Sequence, residues 1–358
     1  MTFLFEYPLL LSVFLSFVAY FTVLRMIPKV APLLAKAGLG GIDLNKKKQE
    51  NPKKIPESLG IVTAGVYITV VIIFECFQSD TSLLEYHTSL LAVTFMILLG
   101  FADDVLALRW RDKIVLSAVA ALPLAVFYTG PTAVHVPIFL RDHLGEIVEL
   151  GVFYKIYVWL LAIFCTNSIN IYAGINGLEV SQSIVIACAI VLHNLHQIYV
   201  QDVFLTENFF SLTITLPFIA CSLALLKFNK YPSRVFVGDS YTYFAGMMLA
   251  VAGTLGHFSK TLMLFFGPQI FNFVLSLPQL FHIIPCPRHR LPIYDDKTGK
   301  LRYSPNLTLI NAVLYLTGPM HEHTLLIVLS ALQALWCLCS FGIRYLIATW
   351  IYPAPLHE

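Results

Sequence analysis

Residues 209–226 read FFSLTITLPFIACSLALL, eighteen positions without a formal charge, and residues 227–240 follow them with KFNKYPSRVFVGDS. A helix crosses the hydrocarbon of a bilayer with about 20 apolar residues, and about 17 to 25 is the working range. The first stretch is therefore a membrane span, and the second is a polar turn carrying Lys227, Lys230, Arg234 and Asp239. The same pattern recurs along the chain. Further runs centre on Leu9–Ile27, Leu59–Phe77, Thr88–Ala102, Ile114–Thr129, Val152–Cys165, Val180–Val200, Tyr241–Leu255, Leu262–Ile284 and Thr324–Trp350. The expected fold is an all-α polytopic membrane protein of about ten transmembrane helices. Composition agrees: of 358 residues, 58% are hydrophobic and only 12% charged, about half the charged share of a soluble domain. A soluble α/β enzyme and a disordered chain are excluded. A net charge of +2 leaves no basic face for nucleic acid, and no period-two alternation marks a membrane barrel.

Lysine and arginine set the orientation. Nineteen of the 23 basic residues fall in the stretches that follow the odd-numbered runs, whereas the opposite side has Arg141, Lys155, Lys260 and Arg344. By the positive-inside rule the odd-numbered loops, about 28–58, 102–113, 166–179, 227–240 and 285–323, face the cytoplasm. The whole chain, 1–358, reads as a single transmembrane domain with its first run retained as a helix. The sequon at Asn306 falls on the cytoplasmic side and is expected to stay unglycosylated. The seven cysteines form no spaced framework, so no structural disulfide is expected. Cys286-x-x-His289 and His321-x-His323 each lack the second pair a zinc site needs. His193 and His196 read as packed helix residues.

The polar clusters with chemical potential all lie on the basic side, at the ends of runs. They are Phe101–Lys113 with Asp103, Asp104 and Lys113; Asn167–Glu179 with Asn170, Gly174 and Asn176; Phe236–Asp239; and Pro287–Pro292 with Arg288, His289 and Arg290. Carboxylates with amides are hard oxygen donors of the kind Mg²⁺ takes, completing its shell with water and phosphate. Lysine and arginine grip phosphate oxygens, arginine bidentately. Taken singly, each cluster is ordinary: solvated acids at a helix end, turn asparagines and glycines, headgroup-facing arginines. Four such clusters on one face point instead to phosphoryl transfer.

With Ile55–Ser58 added, these segments resemble the polyprenyl-phosphate N-acetylhexosamine-1-phosphate transferase superfamily, in particular its eukaryotic, tunicamycin-sensitive branch. The likeness runs over essentially the whole chain. It implies transfer of GlcNAc-1-phosphate from UDP-GlcNAc to dolichyl phosphate, with UMP released and Mg²⁺ as cofactor. The setting implied is the endoplasmic reticulum membrane with the site facing the cytoplasm, the partners being membrane lipid and no nucleic acid, as a single chain or a homodimer. By the same resemblance Asn170 and Asp239 hold the metal, and Asp103 and Asp104 help bind or deprotonate the acceptor phosphate. Lys113 lies near the phosphates, Arg288 and Arg290 grip pyrophosphate and sugar, and His289 faces the sugar. Gly174, Asn176 and Phe236 form a uracil pocket with Phe236 stacking, Glu57 meets the ribose, and Leu44 is a further substrate contact. One departure stands out: the family's Asp-Asp-Val-Leu-Asn has Ala107 at the Asn position. Two other readings remain open. One is a relative acting on UDP-MurNAc-pentapeptide or an undecaprenyl acceptor. The other is a transporter of nucleotide sugars or isoprenoid phosphates, which would place its ionisable groups nearer the bilayer midplane.

Overall fold

The computed structural model describes residues 2–46, 52–78, 83–202, 204–287 and 289–352. It is 71% helical. Its elements are α1 (Thr2–Lys36), β1 (Gly40–Gly41), β2 (Ile55–Pro56), α2 (Gly60–Glu75), α3 (Leu83–Leu106), α4 (Trp110–Val126) and β3 (Ala133–His135). These are followed by a short α5 (Arg141–Leu144), β4 (Ile147–Glu149), α6 (Val152–Ile171), α7 (Leu178–His196), α8 (Leu205–Asn229), α9 (Asp239–Leu255), α10 (Ser259–Phe265) and α11 (Gly267–Leu280). The last are β5 (Ile293–Asp295), β6 (Lys300–Arg302), α12 (Leu309–Thr317), α13 (Glu322–Gly342) and α14 (Ala348–Ile351).

Every expected apolar run falls on helix, but the helices differ in reach. Among the described residues six are long and apolar enough to cross a membrane: Tyr7–Lys36, Leu84–Leu106, Val152–Ile171, Leu178–Gln201, Leu205–Asn229 and Glu322–Ile351. A seventh results if α10 and α11, bent by 66°, count as one span. That break falls where Gly267-Pro268 follows Phe266; proline has no N–H to give and restricts the residue before it. Against the ten expected from the runs, α2 has 16 residues and α4 and α9 have 17 each. These three are at or below the short edge of what crosses a bilayer.

The bundle is organised around α9. Each residue from Ser240 to Leu255 is buried, as expected of a helix that is apolar all round. It packs against α2, α3, α6, α7 and α8. Gly100 in α3 lets α9 approach: a Cβ there would meet the Asp239 carbonyl oxygen at 2.5 Å and Ser240 Cα at 2.7 Å.

The three strand pairs, β1–β2, β3–β4 and β5–β6, are two-stranded and antiparallel, an addition to the all-α expectation. The polar stretch 285–323 is not a bare loop. Its β5–β6 hairpin and α12 close over a second apolar core that includes Tyr172, Ile175, Leu301, Ile310 and Leu325. Asn306 of the sequon is engaged there, donating to Ser304 Oγ at 2.8 Å and accepting from Gln279 Nε2 at 3.0 Å. All seven cysteines are free thiols. His193 is buried, with Nδ1 2.8 Å from the Tyr345 hydroxyl.

The tight α3–α9 crossing predicts that Gly100→Ala lowers stability by about 1–3 kcal/mol through overpacking. Gly65 in α2 has open space where its Cβ would be, so Gly65→Ala should be neutral or stabilising by up to about 1 kcal/mol. Thermal unfolding in detergent compares the two.

Candidate active site

The site forms where the end of α3 meets the start of α9. Asp104, in the last turn of α3, accepts two backbone hydrogen bonds from α9: Asp239 N to Oδ1 at 2.6 Å and Ser240 N to Oδ2 at 3.2 Å. A helix N-terminus leaves such amides unpaired and carries partial positive charge, so a carboxylate from another helix satisfies both demands. The preceding residue must be glycine. Gly238 has φ +73°, and a Cβ there would lie 2.4 Å from Asp104 Oδ2 and 2.8 Å from Ser58 Cα.

Thus fixed, the Asp239 side chain faces two partners from other helices. Asn170, near the end of α6, donates through Nδ2 to Oδ1 at 2.8 Å. Lys113, in the first turn of α4, places Nζ 3.2 Å from Oδ2. The same ammonium lies 2.6 Å from Oδ2 of Asp103, which is only 3% exposed. Asp103 Oδ1 accepts from Leu108 N at 3.1 Å and so holds the α3–α4 turn. Burial works against the charged form of Lys113, but Asp239 and then Asp103 outweigh it and raise its pKa above the ordinary lysine value. The adjacent aspartates therefore do different things: Asp103 pairs with the lysine, and Asp104 binds backbone. In the same turn Ala107 has φ +49°, a left-handed conformation that Asn adopts more readily than Ala. The departure noted from sequence thus falls where the backbone favours the missing residue.

Beside the cluster lies a cavity of about 530 Å³. Asn170 and Asp239 stand on its wall, which also includes Leu44, Glu57, Gly174, Asn176, Phe236 and His289. Phe236 is held in place by backbone bonds on both sides, its N–H to Pro56 O at 2.7 Å and its carbonyl to Leu59 N at 3.2 Å. Its ring passes close to Gly41, where a Cβ would be 3.1 Å from it. Asn176 is gripped at both ends: Nδ2 donates to Asp43 Oδ2 at 2.9 Å, and its N–H to Glu322 Oε1 at 2.7 Å. Asn45 Nδ2 donates to Gly174 O at 2.7 Å, so residues 43–45 are tied to residues 174–176 across the cavity. Burial first, then the charges of Asp104 and Asp239, push the Glu57 carboxyl above its ordinary value.

Of the residues singled out from sequence, Asp103, Asp104, Lys113, Asn170 and Asp239 come together in one cluster. Leu44, Glu57, Gly174, Asn176, Phe236 and His289 surround the adjoining cavity. Arg290 stands apart from that wall; its Nη1 is buried and has no partner among the described residues. Arg288 lies outside the described residues. Sequence reading missed Asp43, Asn45, Glu179 and Asn229, all on the cavity wall. Asn229 donates through Nδ2 to Val235 O at 2.9 Å, leaving Oδ1 as a buried acceptor with no partner among the described residues. Its signal was the amide that closes α8, two residues after Lys227. Among the described residues no three His, Cys, Asp or Glu side chains form a metal-holding group.

This arrangement, a charged cluster opening on a ligand-sized cavity at one end of a membrane helix bundle, matches an enzyme class. Residues 86–257 match the family model described as glycosyl transferase family 4. A protein of Dictyostelium discoideum, named UDP-N-acetylglucosamine–dolichyl-phosphate N-acetylglucosaminephosphotransferase, is 51% identical, covering 93% of this chain and 88% of its own length. Proteins of the same name from Leishmania amazonensis (38% identical, 94% of this chain, 93% of the relative) and Schizosaccharomyces pombe (40%, 97% and 94%) are also similar. The chain belongs to the UDP-N-acetylglucosamine–dolichyl-phosphate N-acetylglucosaminephosphotransferase family, and it is an enzyme.

The raised pKa of Glu57 has a testable sign. A carboxyl whose folded pKa is raised binds its proton more tightly in the native state, so its favourable contribution is complete below the ordinary carboxylate value. That contribution is lost as pH rises through the folded value. Ionised Glu57 therefore opposes folding at neutral pH and above. Glu57→Gln should raise Tm at pH 8 and give a smaller gain at pH 5; a gain independent of pH would remove the electrostatic penalty at Glu57.

Proposed function

We propose that the chain transfers GlcNAc-1-phosphate from UDP-GlcNAc to dolichyl phosphate, giving GlcNAc-diphosphodolichol and UMP, the first lipid-linked step of N-glycosylation. The observation that carries this reading is the wall shared by Asn170 and Asp239. It joins the cavity, with Phe236 available to stack on a base, to the Asp103–Lys113–Asp239 cluster. The activity named for the similar proteins fits that geometry.

In the proposed reaction an oxygen of dolichyl phosphate attacks the β-phosphorus of UDP-GlcNAc. The new P–O bond forms as the bond to the bridging oxygen breaks, and UMP leaves with that oxygen and its electron pair. The acceptor phosphate is already anionic, so strong base catalysis is not required. What the site must do is gather anionic phosphoryl groups and neutralise charge as it moves to the leaving group. Lys113 can do so once released from Asp103 or Asp239, and Arg290, whose Nη1 has no partner among the described residues, supplies a planar fork. Phe236, Asn176 and the Leu44 segment orient the uridine, Glu57 meets the ribose, and His289 faces the sugar. Arg288 completes the cationic set.

The donor set also suits Mg²⁺. Asp239 and the Oδ1 of Asn170 would hold it, because such an ion takes one or two protein oxygens and leaves its other positions to water and phosphate. Bound there, the ion would supply charge stabilisation for the pyrophosphate oxygens.

The finer membrane picture is part of the same proposal. The short helices α2, α4 and α9, the six long ones and the bent α10–α11 pair make ten crossings. The loops bearing the site face the cytoplasm of the endoplasmic reticulum, as the lysine and arginine bias supports, and tunicamycin blocks the site. Transport of the same substrates is the weaker reading, since the ionisable cluster sits at helix ends.

The test is UMP release by the purified chain with UDP-GlcNAc, Mg²⁺ and dolichyl phosphate, using tunicamycin as control; substrate movement without UMP would favour transport. Within that assay Arg290→Lys keeps the charge and loses the fork. It should cost about 2 kcal/mol, or roughly a thirtyfold fall in kcat/KM. Wild-type kinetics in Arg290→Lys would take Arg290 out of the clamp.

A further inference from the structure

The segment after β1 carries a carboxylate that the proposed reaction does not use. Asp43 stands on the wall of the large cavity, with its side chain only 8% exposed. Its Oδ1 accepts from Asn45 N at 3.1 Å and closes a tight turn. Its Oδ2 takes two donors, Lys46 Nζ at 2.8 Å and Asn176 Nδ2 at 2.9 Å. Lys46 is itself placed, with Nζ 5.5 Å from the centre of the Tyr231 ring.

What this carboxylate fixes is the direction of an amide. Asparagine has a donor end and an acceptor end of nearly the same shape, and either could meet a ligand. An ionised carboxylate only accepts, so the end of Asn176 beside Asp43 must be its NH₂. Oδ1 is then the end left for the cavity that Asn176 lines. It takes no hydrogen bond among the described residues, and unlike Asn45 Oδ1 and Asn229 Oδ1 it is not sealed from solvent. Glu322 restrains the same residue differently, through its backbone, with Oε1 accepting from Asn176 N at 2.7 Å. The backbone contact sets where Asn176 sits, and the Asp43 contact sets which atom it presents.

We propose, resting on the reading of this cavity as the uridine site, that Asp43 makes it select uracil over cytosine by holding Asn176 with its oxygen toward the base. Uracil carries an N–H at N3, which Asn176 Oδ1 accepts. Cytosine carries a lone pair there, so the same placement sets two acceptors against each other, a costly arrangement in a buried site. Stacking on Phe236 does not separate the two bases, because both present a π-face. Asp43 acts through Asn176 and is therefore a positioning residue.

The experiment is isothermal titration calorimetry of the full chain in detergent with UMP and with CMP, in wild type, Asp43→Asn, Asp43→Ser and Glu322→Gln. Wild type should bind UMP at least about tenfold more tightly than CMP, the scale of one buried polar group left unpaired. The amide of Asp43→Asn both donates and accepts, which frees Asn176 to turn over and offer its NH₂ to N3 of cytosine. The preference should narrow to about threefold or less in that variant. Asp43→Ser, smaller and also able to donate, should narrow it likewise and serves if Asp43→Asn is unstable. Glu322→Gln keeps an acceptor for the Asn176 N–H and leaves the Asp43 contact in place, so its preference should match wild type. A merely structural Asp43 would weaken both nucleotides in proportion, or lose both. Either result in the Asp43 variants overturns the proposal, as does equal narrowing in Glu322→Gln or wild type that binds UMP and CMP alike. Wild type that binds neither nucleotide removes the uridine reading itself, and the role of Asp43 with it.

Discussion

The two hydrogen bonds that the Asp104 carboxylate accepts from the first amides of α9 are the constraint on which the rest of the site depends. They join the end of one helix to the start of another, and they do so one residue away from each side chain that matters. Asp103 precedes the clamp on α3, and Asp239 begins the clamped helix. Because a helix end fixes the direction of its first side chain, anchoring the backbone of α9 also aims Asp239 toward Asn170 and Lys113. The charge on Asp104 is opposed by the α9 dipole, and the charges on Asp103 and Asp239 by one lysine. In the proposed reaction a substrate phosphate enters by exchanging with the Lys113 contacts.

Around this clamp the bundle supplies rigidity. α9 is buried from Ser240 to Leu255 and approached closely at Gly100, so Asp239 begins a helix that is packed on all sides. The loops that enclose the cavity are joined differently, by side-chain bonds: Asp43 to Asn176, Asn45 to Gly174, Glu322 to the Asn176 backbone. The division is physically sensible. Charge must be held to within tenths of an ångström where phosphorus reacts, whereas a nucleotide must be able to enter past loops whose bonds can open.

Much of this was legible in the sequence, for local reasons. Lipid-length apolarity is a property of consecutive residues, so Phe209–Leu226 and its counterparts all fall on helix. Asp239 after Gly238 carries the acid expected in the first turn of a helix. The number of helices able to span was not local: the Leu262–Ile284 run bends at Gly267-Pro268, and α9 stops after 17 residues at Gly256. The division of labour within the aspartate pair was equally hidden, since only the α3–α9 crossing decides which carboxylate meets backbone and which meets lysine. Asn229 and Glu179 were missed because polar residues at the edge of an apolar run look like helix punctuation. Only folding brings them to the same wall as Phe236. Arg290 stands apart from that wall despite its neighbours His289 and Leu291 being on it, a matter of side-chain direction that no spacing could supply.

The central claim is that Asp104 acts through the backbone of α9 to position Asp239, and it is tested most directly by the Mg²⁺ dependence of UMP release in wild type and Asp104→Asn. Asparagine offers one acceptor where the clamp needs two, and turns its NH₂ toward a backbone N–H. The account predicts that half-saturating Mg²⁺ rises about tenfold or more, the scale seen when a residue supporting a metal ligand is lost, while KM for UDP-GlcNAc changes little. An unchanged Mg²⁺ midpoint in a variant that is stably folded would contradict it.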